Sequence, residues 1–188
     1  ISLAVPIAAR AEESPVWIVP GGGGAWIPNE LGARETRPQI GGIFGVRVAP
    51  AWALEARGTY MRSPSDIAGG PALHLPHLEG NLTWFLGGDR SFSPYLTAGA
   101  GVAYFRAQGA SGGRKRFDYD GGAGFLVKLG EKVSFRADAR DVRYKVLVPG
   151  TAAEEFRHHA EVFAGLSFGL GGAPKDLDRD GIPEKTDK

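Results

Sequence analysis

One pattern repeats along residues 16–171: a segment of about ten residues whose side chains alternate between two chemical classes, followed by a turn. Successive side chains of a β-strand point to opposite faces, so an alternating segment predicts a strand with two different faces. Turn-forming residues such as Pro50-Ala51 separate the segments. The pattern occurs eight times, over residues 16–26, 39–48, 52–61, 72–86, 94–108, 117–129, 133–146 and 158–170.

Eight such segments, joined alternately by short and longer connections, predict an all-β fold, an eight-stranded antiparallel up-and-down β-barrel. Glycine is abundant, with 29 residues in 188, but it follows no Gly-X-Y period, so a collagen-like chain is excluded. In an antiparallel barrel with an even number of strands, the N- and C-termini of the chain lie at the same end of the barrel. The short connections at residues 50–51, 87–92 and 130–132 are therefore predicted to share that side.

The seventh segment indicates which face of the barrel is polar. Ser134, Arg136, Asp138 and Arg140 have one parity, whereas small and aromatic residues have the other. The interior of an eight-stranded barrel is just wide enough for side chains to fill, so oppositely charged side chains inside it are able to neutralise one another. This favours a transmembrane β-barrel with a lumen charge network of Glu55, Arg57, Glu79, Arg136, Asp138, Arg140 and Glu161.

Within that network we expect the three charged residues of the seventh segment to pair with Glu55, Glu79 or Glu161. The apolar face would then contact lipid, and aromatic residues near the segment ends would lie at the membrane interfaces: Trp26, Trp52, Tyr60, Trp84 and Tyr104. A water-soluble barrel shows the same alternation with its faces exchanged. A lipocalin-like ligand carrier is therefore the alternative that parity alone leaves open.

Charge and composition exclude other classes of function. Lysine and arginine number 22 against 21 acidic residues, and this near balance does not favour a nucleic-acid partner. No apolar run reaches the roughly 20 residues of a membrane-spanning helix. Cysteine is absent, which excludes a disulfide framework and a thiol nucleophile. Residues 1–11 are apolar and end in Ala9-Arg10-Ala11, as expected for the end of a signal peptide.

No catalytic pair emerges from the histidines, so we predict that the chain is not an enzyme. Ser167 and His159 share a strand and are about 26 Å apart at strand rise, too far for general-base catalysis. An outer-membrane enzyme that modifies lipid A is retained as a second alternative. The basic cluster Arg114-Lys115-Arg116 is predicted to lie in a loop at residues 109–116. Three basic residues in a loop are most often solvated, and in an extracellular loop they could also meet lipopolysaccharide phosphates.

Several short stretches resemble the OmpA/OprF-like outer-membrane β-barrel family. The likeness rests on residues 43–47, 94–101, 122–124, 133–140 and 165–169, above all on the Pro-Tyr-Leu-x-x-Gly-x-Gly strand and the later Arg-x-Asp-x-Arg strand. The resemblance implies a structural protein of the Gram-negative outer membrane that maintains envelope integrity and has at most a narrow pore of low conductance. It also implies outer-membrane lipid and lipopolysaccharide as surroundings, and leaves membership in a larger envelope assembly open.

The acidic tail resembles a thrombospondin type 3 calcium repeat. Repeats of this kind often join such a barrel to a periplasmic peptidoglycan-binding domain, which this chain does not contain. The resemblance thus divides the chain into a residual signal segment (1–11), a barrel (12–172) and a calcium-type periplasmic linker (173–188). Alternating carboxylates followed by glycine suit Ca²⁺, and the expected ligands are Asp176, Asp178, Asp180, Glu184 and Asp187. Glu184 departs from the repeat, which usually has aspartate there.

Overall fold

Eight β-strands make up most of the chain that the computed structural model describes, namely residues 15–28, 34–63, 72–87, 91–109, 111–147 and 154–170. The strands are β1 (Val16–Pro28), β2 (Arg34–Ala49), β3 (Trp52–Ser63), β4 (Leu73–Phe85), β5 (Phe92–Ala107), β6 (Arg114–Lys128), β7 (Val133–Leu147) and β8 (Glu154–Leu170). Among these residues there is no helix long and apolar enough to cross a membrane.

Every strand pairs antiparallel with its neighbours in sequence, and β1 pairs with β8. The sheet is therefore closed and has no free edge. The prediction of an eight-stranded antiparallel up-and-down barrel is confirmed.

The two ends of the barrel differ in the length of their connections. At the end that we call the turn end, β2–β3, β4–β5 and β6–β7 are joined by two to six residues. The first of these is Pro50-Ala51, with a register shift between Arg47 and Ala49 just before it. At the opposite end, the loop end, the four connections have five to nine residues. The predicted alternation of short and longer connections is present except at β4–β5, whose six residues equal the length of β5–β6 and exceed the five of β1–β2.

Three strands begin three to five residues earlier than their alternating segments. β2 begins at Arg34 instead of residue 39, β6 at Arg114 instead of residue 117, and β8 at Glu154 instead of residue 158. The prediction that residues 114–116 lie in a loop is wrong, because they pair with residues 103–105 of β5. Backbone hydrogen bonds between strands continue beyond the residues that have an apolar face. Side-chain alternation therefore underestimates the length of the strands.

The outward face of the barrel is apolar across its middle. Leu54, Leu78 and Leu82 point outward and are 45–65% exposed. At the turn end the rings of Trp52 and Trp84 stack on this face with centroids 5.7 Å apart. Tyr60 and Tyr104 lie outward towards the loop end. The inward face is polar, which is the opposite of the arrangement that a water-soluble barrel requires.

Candidate functional site

Side chains from all eight strands fill the lumen, which is the candidate functional site. It has two layers. An apolar layer occupies the turn-end half and consists of Trp17, Val19, Ile43, Ala53, Phe85, Tyr95 and Phe163. A charged layer adjoins it towards the loop end.

Aromatic rings close the turn-end half of the lumen. The ring of Phe85 contacts Trp17 edge-on at 6.2 Å between centroids and Tyr95 at 5.7 Å. The guanidinium of Arg47 lies 4.5 Å from the centre of the Phe85 ring and donates a hydrogen bond of 2.8 Å to the carbonyl oxygen of Pro50. An arginine held over an aromatic ring and bonded to the adjacent turn caps this layer.

Arg136 is the first centre of the charged layer and is completely buried. Its two terminal nitrogens donate to the two carboxylate oxygens of Glu55 at 2.5 and 2.9 Å, a bidentate pair. Its Nε donates to Asp138 at 3.3 Å. Tyr95 supports the same carboxylate, because its hydroxyl donates to Asp138 Oδ2 at 2.9 Å while its ring lies 4.6 Å from the Arg136 guanidinium. Thr83 donates to Glu55 at 2.7 Å.

Arg57 and Arg140 form the second centre and share one carboxylate. Glu79 Oε1 accepts from Arg57 at 3.0 Å and from Arg140 at 2.7 Å. Arg57 also donates to Glu161 at 2.8 Å, and Arg140 donates through Nε to Asp138 at 2.9 Å. Asp138 therefore links the two centres into a single network, since it contacts both Arg136 and Arg140.

The structure places all seven sequence-predicted lumen residues inside the barrel, at 5% exposure or less. As predicted, Arg136 pairs with Glu55 and Arg140 with Glu79, whereas Glu161 pairs with Arg57. The predicted pairing of Asp138 with one of these glutamates is wrong: like carboxylates repel, and Asp138 contacts Arg136 and Arg140 instead. Two further acidic residues of the charged layer, Asp118 and Asp120, were not predicted from the sequence. Asp120 contacts Arg140 at 3.1 Å. Their signal was the alternation of β6, where acidic and aromatic residues take opposite parities at positions 117–120.

Carboxylates outnumber guanidiniums among the buried residues that the structure describes. Three arginines, Arg57, Arg136 and Arg140, face six acidic side chains: Glu55, Glu79, Asp118, Asp120, Asp138 and Glu161. Two histidines lie beside the excess acids: His77 Nε2 is 3.0 Å from Asp118, and His159 Nε2 is 2.8 Å from Glu161. A protonated histidine at either position would reduce the excess negative charge.

The other two histidines face outward. His158 contacts Asp141 at 2.9 Å, and the ring nitrogen of His74 contacts the hydroxyl of Tyr60. Adjacent His158 and His159 therefore point to opposite sides of the wall, as strand geometry requires. In the described part of the chain, no group of three or more histidine and acidic residues is arranged to hold a metal ion.

Glycines on the inward face leave room for these large side chains. A methyl group at Gly45 would collide with the indole of Trp17, and one at Gly122 would collide with the backbone of Ala139 and the side chain of Arg140. Glycine in a strand often marks such a close approach. The high glycine content is thus part of how a narrow barrel accommodates arginine and tryptophan inside.

Two predicted segments lie outside the described residues. They are the signal segment at residues 1–11 and the calcium-type tail with Asp176, Asp178, Asp180, Glu184 and Asp187.

Solved structures of bacterial surface barrels resemble this chain over most of its length. Neisserial surface protein A is 13% identical, with a TM-score of 0.67, over 84% of this chain and 98% of that protein. The N-terminal barrel domain of OprF from Pseudomonas aeruginosa is 14% identical, with a TM-score of 0.57 over 84% and 98% of the two chains. OprG from the same organism is 16% identical, with a TM-score of 0.55 over 83% and 96%. At such identities the likeness shows the fold.

No curated protein matches the chain in sequence. A family model, in contrast, covers almost the whole barrel. The model of the outer membrane protein beta-barrel domain matches residues 1–171, and an apolar outward face around a polar lumen is what this family requires. This family points to the bacterial outer membrane. The chain belongs to the outer membrane protein beta-barrel family.

Proposed function

We propose that the protein is a structural barrel of the OmpA/OprF-like type, which maintains the integrity of a Gram-negative envelope. The observation that carries this proposal is the filled lumen. An apolar layer lies next to a charged layer in which three buried arginines on β3 and β7 bind carboxylates from four strands, β3, β4, β6 and β8. A barrel filled in this way serves as a rigid membrane anchor and conducts at most through a narrow, low-conductance path.

The proposal includes a periplasmic tether. The thrombospondin type 3-like tail would bind Ca²⁺ and stiffen the connection to a peptidoglycan-binding domain outside this chain. Support comes from five carboxylates within twelve residues, since Ca²⁺ takes six to eight oxygen ligands. Calorimetry with Ca²⁺ is expected to give heat for the full chain, and none for a chain ending at residue 172 or for the Asp178→Asn/Asp180→Asn variant. Equal heats for all three would exclude a specific site in the tail.

The orientation belongs to the same proposal: the turn end faces the periplasm and the loop end faces outward. The chain has no cysteine, so single cysteines report orientation without background. A membrane-impermeant maleimide added to intact cells is expected to label Ser111→Cys at the loop end and to leave Lys132→Cys at the turn end unlabelled. The reverse labelling would overturn the orientation.

Planar-bilayer recording tests the closed lumen. We expect the full chain to give rare, small conductance steps. The Arg136→Ala variant should increase their size or frequency, because it removes the first centre of the charged layer. Steady, large conductance from the unmodified chain would favour an open porin instead.

Gene deletion in the parent bacterium tests the role in envelope integrity. Deletion is expected to increase sensitivity to detergent, and restoration of the gene is expected to reverse this effect.

A soluble lipocalin-like carrier and a lipid A-modifying enzyme are the remaining alternatives. A lipocalin-like carrier needs an apolar interior, whereas most of the buried interior here is polar. Heat-modifiable gel migration together with a requirement for detergent would exclude it. Mass spectrometry of lipopolysaccharide incubated with the protein is expected to show no change in acyl chains or headgroup, and a change would establish an enzyme.

A further inference from the structure

His77 on β4 lies in the lumen with a carboxylate facing each of its two ring nitrogens. Its Nε2 is 3.0 Å from Asp118 Oδ1, and its Nδ1 is 3.6 Å from Glu79 Oε2. All three side chains are buried. A neutral imidazole has one N–H donor and one lone pair, whereas the protonated ring has a donor on both nitrogens. Only the protonated ring therefore presents a donor to both carboxylates.

The two oxygens of Glu79 have different surroundings. Oε1 accepts hydrogen bonds from Arg57 at 3.0 Å, Arg140 at 2.7 Å and Asn81 at 3.1 Å. Oε2 is also buried, but it accepts no hydrogen bond from any residue that the structure describes, and the Nδ1 of His77 lies beside it. A buried carboxylate oxygen without a donor is costly. A proton on Nδ1 reduces that cost.

Further charge around the His77 ring is also acidic. Glu161 on β8 is a third carboxylate that interacts with the ring electrostatically. On the adjoining strands, Thr59 of β3 and Ala103 of β5 pair with His77 in register, and neither is charged. A protonated His77 thus adds a cation to a layer in which, among the described residues, six buried acidic side chains face three buried arginines.

The contact between His77 and Asp118 crosses the strand that lies between them. Gly101 of β5 pairs in register with Glu79 of β4 and with Asp118 of β6. A methyl group at Gly101 would lie 2.8 Å from His77 Nε2 and 2.8 Å from Asp118 Oδ1. The absence of a side chain at this position lets His77 reach over β5, so the contact ties β4 to β6.

We propose that His77 is a proton-binding site of the lumen and that the bound proton ties β4 to β6 through Asp118. The carboxylates surround the ring only in the folded barrel, so the folded barrel holds this proton more tightly than the unfolded chain does. The resulting stabilisation is present at low pH and is lost as the pH rises far enough to remove the proton. The inference concerns the lumen alone and depends neither on the orientation nor on the calcium-type tail.

His159 provides a comparison inside the same lumen. Its Nε2 is 2.8 Å from Glu161 Oε1, whereas its Nδ1 is buried without a hydrogen-bond partner in the described part of the chain. One N–H satisfies this contact, so the geometry calls for no second proton. The lumen therefore has one histidine between two carboxylates and one beside a single carboxylate.

NMR of the histidine ring nitrogens tests the proposal with the refolded full chain in zwitterionic micelles. The signals of His77 are those that disappear in His77→Gln. At about pH 7.5, where an ordinary histidine is about nine-tenths neutral, we expect both nitrogens of His77 to carry a proton. The outward-facing His158 should be mostly neutral at this pH. A His77 ring with one unprotonated nitrogen would overturn the proposal.

Asp118→Asn tests whether charge holds the proton, because it keeps the size of the side chain. We expect His77 to become mostly neutral at about pH 7.5 in this variant. Asp141→Asn is the matched control, since it removes the carboxylate beside His158 on the outward face and should leave His77 protonated. An unchanged His77 in Asp118→Asn, or an equal change in both variants, would contradict the proposal.

Urea unfolding in lipid vesicles measures the contribution of the proton to stability. The ratio of the folding equilibrium constants of the unmodified chain and His77→Gln should decrease at least about tenfold between about pH 6 and about pH 9. His158→Gln, which removes an exposed histidine, should show a much smaller change over the same range. A ratio for His77→Gln that is independent of pH would mean that the ring contributes packing and no bound proton.

Gly101→Ala applies if His77→Gln does not fold, as judged by heat-modifiable migration. It leaves every titratable group in place and puts a methyl group where His77 and Asp118 meet. Through-bond correlation to the backbone then identifies the His77 signals. In the folded variant we expect His77 to titrate as His158 does, and a ring that stays protonated on both nitrogens would refute the site. That result would leave the proposed structural role of the barrel intact.

Discussion

The inward and outward faces of the same strands are stabilised in different ways. On β3, Glu55 and Arg57 point inward and each binds partners on other strands, whereas Leu54 and Ala56 point outward without any directional contact. Inside, each charged group depends on particular partners at fixed distances. Outside, a side chain needs only to be apolar, because lipid presents no specific partner. Substitutions inside should therefore depend on partner identity, and those outside on polarity.

Arg136→Ala is expected to have the largest effect, because it leaves Glu55 as an uncompensated buried charge, whereas Asp138 keeps its contact with Arg140. Breaking a buried pair in this way costs about 3–5 kcal/mol. The free energy of unfolding in lipid vesicles, from urea titration, measures it. Arg136→Met/Glu55→Leu removes the pair instead of breaking it and should recover a large part of the loss. If the double variant were less stable than Arg136→Ala, specific pairing would not be what stabilises the inside.

Gly80→Arg tests the outward face at the middle of the membrane. Gly80 lies on β4 halfway between Trp84 and Pro76, the latter level with Tyr60, and an added Cβ would meet nothing within 4 Å. The change introduces charge without a clash. It should destabilise the barrel by about 2–4 kcal/mol, the cost of a cation at the midplane of a membrane barrel.

Gly80→Leu is the matched control for this change. It adds bulk but no charge at the same position, and it should not lower the free energy of unfolding. An equal cost for both variants would mean that space, not polarity, governs this face.

Tyr95→Phe removes one hydrogen bond inside and keeps the ring. The lost bond runs from the Tyr95 hydroxyl to Asp138 at 2.9 Å. A hydrogen bond to a charged group contributes about 1.5–3 kcal/mol, and urea unfolding should show a loss in that range. The outward-facing Tyr104→Phe is the control and should leave the unfolding midpoint unchanged. Equal losses of stability in Tyr95→Phe and Tyr104→Phe would show that the inward face does not depend on specific hydrogen bonds more than the outward face does.

Leu82→Ala should have the smallest effect. Leu82 points outward, and a shorter apolar side chain there loses only the difference in membrane transfer, about 0.5 kcal/mol. The same urea titration can set an upper limit on this loss in the free energy of unfolding. A loss comparable to that of Arg136→Ala would show that the outward face makes specific contacts after all.

Alternation of side chains was enough to predict the number of strands, their order and which residues face inward. It works because strand geometry is local: parity alone decides the side of the wall on which Glu55 or Leu54 lies. The ends of β2, β6 and β8 were not predictable in this way. The ladder extends there through residues such as those at 34–37, where neither parity is apolar.

The partners of the charged residues depend on register, which parity does not determine. Arg136 lies beside Glu55 and Arg140 beside Glu79 only because the strands are staggered by particular amounts around the barrel. Asp118 and Asp120 have the same parity on β6, and their contacts with His77 and Arg140 likewise depend on register.

The seam between β1 and β8 has a consequence for the order of folding. It joins the first and last strands, the contact of greatest sequence separation, and so carries the largest loop-closure entropy. On β1 this seam contains Pro20, which has no N–H to donate, and glycines at 21 and 23, where a methyl group would overlap the carbonyl oxygens of Ala164 and Val162. The missing side chains at these two positions allow the β1 backbone to lie close to that of β8. Because closure costs the most loop entropy at this seam, we expect the other seven seams to form first and the β1–β8 seam to form last.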